Sequence, residues 1–193
     1  MIVCFLGYLL AVSVFFTTFV HKIYVVLKME KVYAHREFGL EANIIGCATY
    51  DLKKSKPNKD FGQGFYLSRE YAQAMDLAKI KVEQLETGTP TVQTYEVDEE
   101  RMKDLKVLRF EDYSEEWAKF ILMNRNNSSR EPAHDYDIVI GPIANDRVGV
   151  QLWKYETNSI DMPTLVHNLR NMKGITFQYY FGTEDAVKIL KRV

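Results

Sequence analysis

From Met29 onward the apolar and polar positions divide the chain into short strands and longer helices. Thr91 to Val97 alternates and is rich in β-branched and aromatic residues, which predicts a strand. Val32-Tyr33, Ile44 to Tyr50, Gly64 to Leu67, Leu105 to Phe110, Asp137 to Ile140 and Ile175 to Phe181 are the other runs with strand character. Tyr71, Ala74, Met75, Ala78, Val82 and Leu85 recur at helical spacing. They predict a helix that starts at Ser68 or Arg69 and is stopped by Thr87-Gly88-Thr89-Pro90. Ser114, with Glu115 and Glu116 behind it, caps a second helix whose apolar face is Trp117, Phe120 and Ile121. A third helix runs from Ile160 to Met172, and Thr183 caps a last one reaching about Leu190. Between these elements, Asp51 to Lys59 and Asn126 to Pro132 are polar loops. Strands and helices mix without strict alternation, so the pattern predicts an α+β fold and not a doubly wound sheet.

The pattern breaks at the N-terminus. Met1 to Val20 contains no charged side chain and is rich in Phe, Leu and Val. Its length reaches the roughly 20 residues that a membrane-spanning helix needs. His21, Lys22 and Lys28 follow it, and the positive-inside rule then places the folded body in the cytoplasm. A cleavable signal peptide fits less well, because there is no basic segment before the apolar run and no Ala-x-Ala-like site after it. Residues 1–28 are therefore either a membrane anchor or not part of the natural product, with translation beginning at Met29. Residues 29–193 form the globular domain.

Composition narrows the function classes. The chain has 193 residues, enough for one domain with a substantial core. A net charge of −1 supplies no global basic field for nucleic acid. The two cysteines, Cys4 and Cys47, make no disulfide framework. The four histidines, His21, His35, His134 and His167, are too scattered for a zinc site, so no metal is expected.

Asp60-Phe61-Gly62-Gln63-Gly64-Phe65-Tyr66-Leu67-Ser68 carries the densest candidate chemistry. Glycine permits tight turns and close approach of backbone to a ligand, and Phe65 and Tyr66 offer flat faces for stacking. The Asp-Phe-Gly triplet is a chance match to a kinase motif, since no catalytic-loop signature accompanies it. Gly62-x-Gly64 does not extend to a dinucleotide fingerprint, and a strand follows it where that fingerprint needs a helix. Three further segments stand beside it: Trp117 to Arg125, His134 to Asp146, and Thr176 to Phe181. Read singly, Trp117 and Phe120 are core residues, Asp137 bonds a turn, Asn145-Asp146 is a turn pair, and Tyr179, Tyr180 and Phe181 pack a sheet.

Taken in order, these segments resemble a bacterial family, domain of unknown function 3990, of the ADP-ribosyltransferase-like superfamily. The resemblance rests on Asp60 to Tyr66, Trp117-Phe120-Asn124-Arg125, Tyr136 to Asp146, Gln178, and Thr183-Glu184-Asp185-Ala186. It covers the chain from about Tyr50 to the C-terminus. It implies a split β-sheet with flanking helices and NAD, as substrate, in the cleft between the halves. In the His-Tyr-Glu branch a first-strand histidine holds the ribose, a tyrosine stacks on the nicotinamide, and a late-strand acid binds the ribose hydroxyl. By that resemblance Tyr66 is the stacking residue, Gln178 stands at the late-strand position, and His35 is the candidate ribose clamp. The family's Tyr-His-Gly-Ser is absent here, Glu41 and its neighbours standing in its place. Asp60, Gly62, Gly64, Phe65, Asn124 and Arg125 join Tyr66 as the expected NAD-binding set. The resemblance further implies transfer of ADP-ribose to an acceptor, a place as toxin in a toxin–antitoxin or defence system, and an antitoxin or regulatory partner. A module that binds NAD or ADP-ribose without turnover is the alternative.

Overall fold

The computed structural model describes residues 29–35, 52, 55–86, 88–129 and 131–193. Seven strands pair in the order β4-β5-β6-β2-β1-β3-β7. They are β1 (Met29–His35), β2 (Phe65–Ser68), β3 (Val92–Asp98), β4 (Val107–Arg109), β5 (Ile138–Pro142), β6 (Phe177–Phe181) and β7 (Leu190–Arg192). Six helices accompany them among the described residues: α1 (Tyr71–Leu85), α2 (Glu99–Met102), α3 (Glu115–Arg125), α4 (Asp146–Glu156), α5 (Met162–Arg170) and α6 (Glu184–Val187). The protein is thus a mixed α/β fold.

The sheet is nearly two sheets. On one side β4 and β5 are parallel, and β5-β6-β2 continue antiparallel. On the other, β1 and β3 pair along seven residues, from Met29↔Asp98 to His35↔Val92, and β7 closes the edge against β3. The halves join where β1 meets β2, through the single pair Tyr33↔Ser68.

Alternation along the strands sorts side chains onto two faces. Leu67, Ile138, Ile140, Tyr179 and Phe181 enter one core, with Tyr95, Val97, Ala186 and Val187. Val139 and Tyr180 enter the other, against Trp117 and Ile121 of α3, Val148 and Leu152 of α4, and Leu165 and Leu169 of α5. Trp117 is fully buried, and its indole N–H donates to the Pro142 carbonyl at 3.1 Å. That bond satisfies the one polar atom such a side chain brings inside.

Caps set the helix starts. Ser114 accepts from Trp117 N and Thr183 from Ala186 N, as their positions predict, whereas Asp161 accepts from Thr164 N and so starts α5 at Met162, two residues later than expected. Asn145 does the same for Val148 N, so the expected turn pair Asn145-Asp146 is the start of α4. That helix escapes the pattern because only Val148 and Leu152 are buried, while Val150 and Trp153 are exposed. The last helix is shorter than expected. It ends at Val187, because the chain beyond joins the sheet edge with Leu190 opposite Val97. Tyr71, placed on the apolar face of α1 by its spacing, is 49 % exposed. The expected strand at Ile44 to Tyr50 and the apolar segment 1–20 lie outside the described residues. Among those described, no helix is long and apolar enough to cross a membrane.

Gly64, just before β2, allows a close approach to β6. A methyl group there would meet the Tyr180 ring at 2.3 Å and the Phe181 carbonyl at 2.7 Å. Gly64→Ala is expected to lower stability by about 1–3 kcal/mol, the usual cost of overpacking, measured as a shift of the urea midpoint at unchanged m.

Candidate functional site

The loop leading into β2 is organised by the Asp60 carboxylate. Arg125, at the end of α3, donates to Asp60 Oδ1 from Nε at 2.9 Å and Nη2 at 2.7 Å. The same Nη2 reaches the Ala144 carbonyl at 3.1 Å. The other oxygen, Oδ2, accepts from Gln178 Nε2 at 3.1 Å and from Ala144 N–H at 3.3 Å. Three expected site residues, Asp60, Arg125 and Gln178, are therefore one network spanning a loop, a helix end and a strand. The pair is largely withdrawn from water, with side chains 15 % and 30 % exposed, so each charge depends on the other.

Two tyrosines and a histidine close the loop behind it. Tyr66 OH accepts from Phe61 N–H at 3.0 Å and donates to the Gly62 carbonyl at 2.7 Å. Tyr180 OH donates to the Gln63 carbonyl at 3.1 Å. Desolvation raises both phenol pKa values, Tyr66 well above its usual value and Tyr180 to about 12, so both stay protonated donors at neutral pH. His134 Nδ1 lies 3.2 Å from the Tyr136 N–H, and Nε2 lies 2.8 Å from the Phe61 carbonyl. Those partners set the tautomer, with Nδ1 accepting and Nε2 carrying the proton. Burial lowers the His134 pKa, which keeps the ring neutral.

The expected residues fall into three groups. Tyr66 and Gln178 share a sheet face on neighbouring strands, with Tyr66 opposite Tyr180 and Ser68 opposite Gln178. His35 ends β1. The register Tyr33↔Ser68, continued two residues past the last formed pair, runs to His35 on one strand and Tyr66 on the other. The Tyr66 ring is itself engaged, stacked 6.4 Å from Phe61 and with Lys59 Nζ 5.0 Å from its centroid. Phe65 goes to the opposite face, edge-on to Tyr95 at 5.8 Å. It is not gathered with Tyr66.

Asn124 and Gly62 belong to a third place, a cleft of about 1160 Å³ beside the glycine loop. Gly62 has φ +94°, a conformation other residues rarely adopt, and a methyl there would lie 3.1 Å from Asn124 Oδ1. Its rim and walls also include His134, Tyr136, Tyr180 and Glu184. Tyr66 and Gln178 are not among the lining residues. His134 and Tyr180 line the cleft and lie in segments the sequence singles out, though neither was expected to bind a ligand. The only signal for His134 was its position two residues before the Tyr136-Asp137 pair that opens a buried strand. Asp137 itself is structural: it accepts from Lys106 N–H and from Thr183 Oγ1, both at 2.8 Å.

Fold and site together define a mixed α/β protein whose sheet narrows to the pair Tyr33↔Ser68 between β1 and β2, with a glycine loop beside a ligand-sized cleft. The chain belongs to the family described as Protein of unknown function (DUF3990), which matches residues 45–192. No curated protein and no solved structure matches it.

Arg125→Ala leaves the Asp60 charge uncompensated and is expected to cost about 3 kcal/mol, read from chemical denaturation. His134 adds a pH dependence. Its folded pKa is depressed, so its contribution is fully present above the unfolded value of about 6.5 and is lost as pH falls below it. The melting temperature of the wild type should therefore drop more steeply from pH 7 to 5 than that of His134→Gln. Parallel curves would show that His134 makes no such contribution.

Proposed function

We propose that the protein is an NAD-dependent ADP-ribosyltransferase-like protein, with NAD held where the sheet splits. The observation that carries this reading is the arrangement of His35, Tyr66 and Gln178 on three adjacent strands, β1, β2 and β6, around that split. In the reaction the bond from ribose C1′ to the nicotinamide nitrogen breaks. Nicotinamide leaves with the bonding electrons, and the cationic ribose carbon is captured by a lone pair of the acceptor, which gives up a proton. Tyr66 would stack on the nicotinamide, Gln178 would bind the ribose, and His35 would clamp it. The same reading makes a toxin restrained by an antitoxin or regulatory protein the natural biological setting.

A second reading, a module that binds NAD or ADP-ribose without turnover, is favoured by the state of Gln178. Its side chain is neutral, and its amide nitrogen is committed to Asp60, whose charge Arg125 already balances. A neutral amide supplies no charge to the developing cation. The absence of such a preorganised group typically costs ~3–4 kcal/mol of barrier.

Incubation of the full chain with NAD separates the two. The transferase reading expects free nicotinamide, with release abolished in Tyr66→Ala. An NAD-dependent rise in melting temperature without nicotinamide would leave the binding module. Neither effect would remove NAD from the account altogether.

A further inference from the structure

The cleft beside the glycine loop has a chemistry of its own. At its wall sits Asn124, whose side chain is only 1 % exposed. Its amide nitrogen donates to the Phe120 carbonyl at 2.9 Å. That bond decides the orientation of the amide, because a flipped group would set oxygen against oxygen. The carbonyl Oδ1 is left buried with no donor among the described residues. A buried acceptor without a partner costs about 1–3 kcal/mol, so a ligand bringing an N–H to this point recovers that energy.

The surroundings say what kind of donor fits. The charged side chains lining the cleft, among the described residues, are Glu131, Asp135 and Glu184, with no lysine or arginine. Asp135 is paired with Lys106 at 2.6 Å, whereas Glu131 and Glu184 form no ion pair among the described residues. His134 is neutral and adds no positive charge. Among the described lining residues a phosphate-bearing ligand would meet carboxylates and no counter-charge. A planar cation would meet carboxylates at the rim, Tyr136 and Tyr180 among the lining residues, and an unmatched carbonyl at Asn124.

We propose that this cleft binds a guanidinium group such as that of an arginine side chain. Guanidinium combines several N–H donors in one plane with a weakly hydrated charge, which matches the buried Oδ1 and the rim carboxylates together. A compact ammonium matches only the rim charges. The binding site stands by itself. Its further role as the acceptor site, with arginine receiving ADP-ribose, rests on the transferase reading above.

The test uses the full chain, agmatine as the guanidinium probe, and no NAD, so its outcome is independent of nicotinamide release. Binding followed by NMR should perturb the Asn124 side-chain amide and residues of the 131–136 loop. Putrescine, the equivalent diamine, should bind about tenfold more weakly, a difference of ~1.4 kcal/mol. Glu131→Gln and Glu184→Gln alter exposed side chains, leave the fold intact, and should each weaken agmatine by roughly threefold. Asn124→Leu should abolish the preference over putrescine, with circular dichroism checking that it folds. Equal affinity for the two amines, indifference to both glutamate variants, binding of inorganic phosphate in place of agmatine, or Oδ1 satisfied by a bound water alone would each overturn the proposal. Agmatine binding without nicotinamide release would keep the guanidinium site and remove only its acceptor role.

Discussion

The Asp60 carboxylate accepts from a helix-end guanidinium, a strand amide and a loop N–H at once. Those donors come from Arg125, Gln178 and Ala144, residues 65, 118 and 84 positions away in the chain. A partly buried charge is tolerated only where each lone pair finds a donor and a counter-charge lies in contact. Meeting that demand pins the glycine loop against α3, the turn before α4 and β6 together. The loop's path then determines where Tyr66, Gly62 and the Phe61 carbonyl stand, and through them both the split of the sheet and the wall of the cleft.

The two halves of the sheet meet differently from the strands within each half. β1 and β3 share a ladder of seven pairs, β5 and β6 one of five, and β1 and β2 a single pair. The helices hold the arrangement from one face, where α3, α4 and α5 bury Trp117, Leu152 and Leu165 against Val139 and Tyr180. The hydrogen bonds of Tyr180, His134 and Tyr66 to loop carbonyls carry this rigidity into the glycine loop.

Split and cleft are chemically unlike. The split gathers a tyrosine and an amide next to an already neutralised ion pair. The cleft presents carboxylates and a buried carbonyl, with no cation among its described lining residues. The two places differ in charge: Arg125 balances Asp60 at the first, and the described lining of the second carries carboxylates.

Much of this was written in local sequence. The caps Ser114 and Thr183, the alternation of Thr91 to Val97 and the buried run at Ile138 depend only on near neighbours, and the structure has them as expected. The density of Asp, Gly and aromatic residues at 60–66 also marked the loop that Asp60 and Tyr66 organise. Helix α4 was hidden because its buried stripe is two residues wide, and β7 because its conformation comes from pairing with β3 and not from its own preferences. The partners of Asp60, the commitment of Gln178 to it, the turning of Phe65 to the far face and the unmatched Oδ1 of Asn124 were decided only by tertiary structure. Each of these is a contact between distant segments. Sequence spacing constrains which face a residue takes within its own element, while the partner waiting on that face is set by how the elements pack.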